Sequence, residues 1–112
     1  MAKKGRPEER ASAIKALADE VATGLRSAFP DCACAASVEF DETIGCWLVL
    51  VDVVSSAFQG LSPTEAHLAI EVAVRSELRA LYLALENDDY VSSYTGYVPG
   101  APLSPDSPLN HI

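Results

Sequence analysis

Basic side chains are scarce over most of this chain. Beyond residue 10 there are four (Lys15, Arg26, Arg75 and Arg79) against fourteen acidic ones, within a net charge of −8 over 112 residues. A body this acidic repels nucleic-acid backbones and anionic membranes; the charge serves solubility or suits a basic protein surface. Lys3, Lys4, Arg6 and Arg10 crowd the first ten positions, which leaves that arm as the only segment suited to nucleic acid. Its Gly5-Arg6-Pro7 matches the core of minor-groove hooks, but Glu8 and Glu9 stand where such hooks carry basic residues. No run of eighteen apolar residues is present, so no membrane-spanning helix is expected. The basic start lacks the apolar stretch of a secretory signal. With an odd number of cysteines, three, the expected setting is a reducing cytoplasm or a particle assembled there.

The side-chain sets that carry chemistry are also lacking. There are two histidines, no strand–turn–helix serine elbow and no glycine-rich phosphate loop, Gly60 standing alone. Cys32-Ala33-Cys34 has no second pair to complete a zinc site. A hairpin turn centred on Thr43 sets Phe40 opposite Cys46 and Cys34 opposite Asp52, which puts Cys46 about 20 Å along the ladder from Cys34. The three thiols are therefore expected to be separate, reduced and metal-free, packed as small hydrophobes. His67 and Glu71 are four apart and could chelate from one helix face, but the pair reads as solvated surface beside Arg75. His111 has no evident partner. Asp52, alone on an apolar strand, reads as a strand-end cap or as the partner of a base at an interface. No catalytic residue, cofactor or metal is expected, and the chain does not read as an enzyme.

What is present is one α+β domain of two layers: an N-terminal helix, a β-hairpin, a long second helix and an extended C-terminal arm. The expected divisions are a basic arm over 1–6, the domain over 7–87 and a tyrosine- and proline-rich arm over 88–112. Pro7 suits the first turn of a helix, with Glu8 and Glu9 at the positive end of its dipole. Ile14, Leu17, Val21 and Leu25 then recur at helical spacing up to Pro30. Alternation over Ala36–Phe40 and the run Cys46–Val54 predict a hairpin turning at 41–45. The second strand is apolar on both faces, so Trp47, Val49 and Leu50 are expected to be mostly buried, with cover on both sides. Ser62-Pro63-Thr64-Glu65 is a capping box at the start of a helix running to Glu86. The alternative ends it near Arg79 and makes 80–85 a third strand; the run of Ala and Leu favours the continuous helix.

Beyond Asn87, the tyrosines Tyr90, Tyr94 and Tyr97 precede four prolines spaced by three, Pro99, Pro102, Pro105 and Pro108. Polyproline II has three residues per turn, so the rings line one edge of an extended segment, with Leu103 on a second. An arm with such anchors is expected to dock on a surface. Together with Trp47, Val49 and Asp52, these eight arm residues form the expected protein interface. The function expected is a non-enzymatic structural or assembly subunit, homo-oligomeric or built into a larger complex such as a phage or other particle. An alternative is a small acidic cytoplasmic adaptor or inhibitor that binds a basic protein.

Val54-Ser55-Ser56-Ala57-Phe58-Gln59-Gly60, followed by His67 and Leu78, resembles the strand-to-helix segment of the BolA family. The resemblance covers about 25 residues. It implies a BolA-type α/β domain, His67 at the position of the family's iron–sulfur ligand, and a monothiol glutaredoxin as partner. The basic residues that flank that histidine in the family are Ala66 and Leu68 here, and the loop between the first two strands has five residues.

Overall fold

The computed structural model describes residues 7–29, 31–85 and 88–111; the basic arm over 1–6 lies outside them. The fold is α+β, in the order α1 (Pro7–Ala28), β1 (Ala33–Asp41), β2 (Cys46–Val54), α2 (Pro63–Ala73), α3 (Arg75–Ala84) and β3 (Tyr90–Tyr97). Short 3-10 turns occupy Ser56–Phe58 and Pro108–His111. The sheet order is β1-β2-β3, with β1 antiparallel and β3 parallel to the central β2.

The hairpin turn is tied by the Gly45 amide donating to the Asp41 carbonyl and the Thr43 amide to Asp41 Oδ1, both at 2.8 Å. Gly45 takes φ 71°, where a side chain is disfavoured. Asp41 pairs with Cys46, Phe40 with Trp47 and Cys34 with Val53, one step from the register expected for a turn centred on Thr43. The step decides faces. Cys34, Ala36 and Val38 share the helix-covered face with Val53, Val51 and Val49, whereas Cys46, Leu48, Leu50 and Asp52 point the other way. Val49, Val51 and Val53 are fully enclosed, while Trp47 and Leu50 are only half-buried. Trp47 lies edge-on to the exposed Phe40, with ring centroids 5.5 Å apart.

The Ser62 cap forms as the sequence predicts. Ser62 Oγ accepts from the Glu65 amide at 3.1 Å, and Glu65 Oε1 accepts from the Ser62 amide at 2.8 Å. The expected long helix is instead divided at Val74, whose backbone turns to φ −125° and ψ 34°. The two halves have different neighbours: α2 lies over β3, and α3 packs against α1. A straight rod could not follow both. Residues 80–84 remain helical, and the third strand comes from Tyr90–Tyr97, which the sequence suggested as the start of the arm. Gly96 makes this possible at its end of the strand, because a Cβ there would lie 2.9 Å from the Phe58 ring and from the Ala66 Cβ.

The segment after β3 is not a continuous polyproline helix. It turns at Val98–Ala101, where the Ala101 amide donates to the Val98 carbonyl, and again at Ser104–Ser107, then enters the last 3-10 turn. That turn lies against β1 and β2, with Leu109 and Ser107 buried. The chain thus covers part of its own second sheet face.

Candidate functional site

The cover is fastened at Asp52, which is 5% exposed. The hydroxyls of Ser107 and Tyr97 donate to its carboxylate. Each is held in turn: Tyr97 Oη accepts from the Ser104 amide at 3.3 Å, and Ser107 Oγ from the Leu109 amide at 3.2 Å. Burial raises the Asp52 pKa above its ordinary 3.8, and the two hydroxyls offset part of that rise. A small cavity of about 70 Å³ adjoins the network between Leu50, Ser93, Thr95 and Pro108. The arrangement fastens the C-terminal segment to β2.

The sign of the pH effect follows from the raised value. The unfolded chain gives up this proton more readily, so the group favours the fold most when protonated, below pH 3.8. That contribution falls as pH rises through 3.8 to the raised folded value, and is flat above it. Asp52→Ala, which strands both hydroxyls, is expected to lower neutral-pH stability by roughly 1–3 kcal/mol. Asp52→Asn removes the pH-dependent part. Denaturant titrations at several pH values check both.

All three cysteines are free. Cys32 Sγ donates to the Leu25 carbonyl at 3.8 Å and Cys34 Sγ to the Ala22 carbonyl at 3.3 Å, which ties the start of β1 to the end of α1. Burial, with Cys32 nearby, pushes the Cys34 thiol up to about 11; a thiol so protonated is a poor nucleophile. Cys46 lies on the opposite face of the sheet, at the hairpin end. No group of three or more His, Cys, Asp or Glu side chains able to hold a metal occurs among the described residues.

The outer side of α2 and α3 is different in character. Leu68, Val72 and Leu83 are each more than half exposed. Leu68 and Val72 stand one turn apart on α2, and beyond the bend at Val74 the residues Arg75, Arg79 and Leu83 follow on consecutive turns of α3. Beside them runs a groove of about 310 Å³ lined by Glu71, Arg75, Leu78, Arg79, Tyr82 and Leu83. Two ring stacks join these helices to β3: Tyr82 on Tyr90 at 4.8 Å, and His67 on Tyr94 at 4.7 Å between centroids. His67 is therefore half-buried against a tyrosine, where the sequence suggested a solvated pair with Glu71.

The expected interface is dispersed by this fold. Val49, Tyr94 and Asp52 are enclosed by the chain itself and are not available to a partner. Tyr97 belongs to the Asp52 fastening, and Pro108 and Leu103 are partly covered. Pro99, Pro102 and Pro105 are exposed, as is Tyr90 at 39%. The exposed Leu68, Val72 and Leu83 on α2 and α3 were not singled out by the sequence, where the apolar spacing of Ile70, Leu78 and Leu81 dominates the pattern. Their offset from Ile70, Leu78 and Leu81 was the available signal. No helix among the described residues is long and apolar enough to cross a membrane. No family model, curated protein or solved structure matches the chain.

Proposed function

We propose that the chain is a non-enzymatic interaction subunit that takes its place in a larger protein assembly through the outer side of α2 and α3. The observation that carries this reading is the exposed stripe of Leu68 and Val72 on α2, continued past the bend by Arg75, Arg79 and Leu83 of α3, the last three lining an open groove. Scattered exposed leucines are ordinary on a monomer, but apolar residues aligned on one side of a helix and rimmed by polar ones mark a contact surface. Half of the basic residues beyond position 10 stand in this stripe, so it suits an apolar segment with acidic flanks. The test is co-purification of the full chain from its native cells. Leu68→Glu with Val72→Glu is expected to lose co-purifying proteins by tenfold or more, with unchanged circular dichroism, while Glu39→Lys on the distant hairpin retains them. Equal recovery from both variants contradicts the reading.

A second reading rests on His67. The segment that resembles the BolA family folds as strand, 3-10 turn and capped helix, and sets His67 on the β3 side of α2. In this reading His67 supplies one ligand to an iron–sulfur cluster shared with a monothiol glutaredoxin. The described residues do not form a cluster site by themselves, so the partner has to bring the remaining ligands. A visible absorbance band after co-expression with such a glutaredoxin, lost in His67→Ala, is the outcome that supports it.

A further inference from the structure

The free edge of β3 is unguarded. Natural edge strands are blunted by lysine, proline, bulges or cover. Tyr90-Val91-Ser92-Ser93-Tyr94-Thr95-Gly96-Tyr97 has no charge and no proline, and its first four residues are exposed. The Trp47 amide donates to the Asp89 carbonyl and the Ser55 amide to the Tyr97 carbonyl. In a parallel ladder these bonds fix the alternation: Val91, Ser93, Thr95 and Tyr97 face β2, and the amides and carbonyls of Tyr90, Ser92 and Tyr94 point outward. Among the described residues, no backbone group from another element meets those three.

We propose that this edge pairs antiparallel with β3 of a second copy, about a two-fold axis through Ser92. The proposal deepens the reading of an interaction subunit by naming the chain itself as one partner, on a surface separate from the stripe. Self-complementarity selects the occupant: about a two-fold axis through Ser92 the outward groups of Tyr90, Ser92 and Tyr94 meet those of Tyr94, Ser92 and Tyr90 on the second copy, so that none is left over. Two copies of a chain at −8 repel, and the repulsion is least where an uncharged strand meets an uncharged strand. The other sheet edge, on β1, carries Glu39 and Asp41. Charge selects the direction. Antiparallel pairing about Ser92 sets Asp89 opposite Thr95 and Asp88 opposite Gly96, whereas parallel pairing would set the acidic pair beside its own copy. In this register Ser92 exchanges both hydrogen bonds with its counterpart, and Tyr90 does so with Tyr94.

Sedimentation of the full chain over a range of concentrations is the test. A mass of twice the chain is expected. Ser92→Pro removes an outward amide and no bond to β2, so the fold should persist by circular dichroism while the dimer dissociation constant rises roughly tenfold or more. Ser92→Asp, which opposes two carboxylates on the axis, should act likewise without a backbone change. Under oxidation Ser92→Cys should give a covalent dimer, and Ser12→Cys, exposed on α1, should not. A monomer at every concentration overturns the proposal. So does a dimer indifferent to both Pro and Asp at position 92, or one in which Ser92→Cys fails to cross-link. The stripe variant Leu68→Glu with Val72→Glu should still dimerise. A monomeric wild type whose co-purifying proteins still depend on the stripe removes this inference alone, and a dimer whose co-purification ignores the stripe removes the earlier reading alone.

Discussion

A chain ending at Asp89 is expected not to fold, while one ending at Val98 is expected to keep its three-stranded sheet. The first truncation removes β3 and with it Tyr94, which is 6% exposed and part of the single core with Val51 and Ile70. It also strips one side of β2 of its ladder partner, leaving buried amides and carbonyls with nothing to bond. The second truncation leaves that core intact. It removes the cover over Asp52, Leu50 and Ala35, so the expected result is a folded, less stable protein that binds a hydrophobic dye more strongly. Circular dichroism and denaturant midpoints separate the two cases. Native-like spectra from the chain ending at Asp89 would contradict the placement of β3.

Ile70→Ala is expected to cost about 2–5 kcal/mol, and Leu68→Ala no more than about 0.5 kcal/mol, although the residues are two apart on one helix. Ile70 is fully enclosed between α2 and the sheet, and no shell of water is ready to fill the space its side chain leaves. Leu68 is 51% exposed and faces away from that core. Urea denaturation of the two variants measures the difference directly. Equal losses would mean that α2 is rotated about its axis, and the exposed stripe would then no longer exist as described.

The elements that declare themselves through local rules were legible in the sequence. Pro7 and the apolar spacing mark α1, the Ser62–Glu65 pair marks the start of α2, and alternation with a glycine-bearing turn marks the hairpin. β3 was not legible as a strand. Its helix-side residues are Tyr90, Ser92, Tyr94 and Gly96, of which only Tyr94 is buried, so no apolar face stands out. The glycine that weakens the strand signal is required by the closeness of Phe58 and Ala66, a tertiary contact that no local pattern encodes. The proline spacing misled for a related reason. A φ near −65° serves polyproline II, turns and 3-10 starts alike, and the folded-back path is selected by Asp52, some fifty positions earlier. Of the site, the unusual carboxylate was visible as an anomaly on β2, but its partners Ser107 and Tyr97 were not.

The parallel join between β2 and β3 also sets an order of events. A hairpin closes locally, on a timescale of about 1–10 μs. The crossover from Val54 to Tyr90 must bring together residues far apart in sequence, after α2 and α3 have begun to form. Until then β2 presents an unpaired, strongly apolar edge. During synthesis at roughly 5–20 residues per second, that edge waits seconds for its neighbour, far longer than any of the folding steps themselves. The interval in which this chain is most open to wrong association is therefore set by the ribosome's pace across residues 55–97, and slow codons there would lengthen it without altering a single contact of the finished protein.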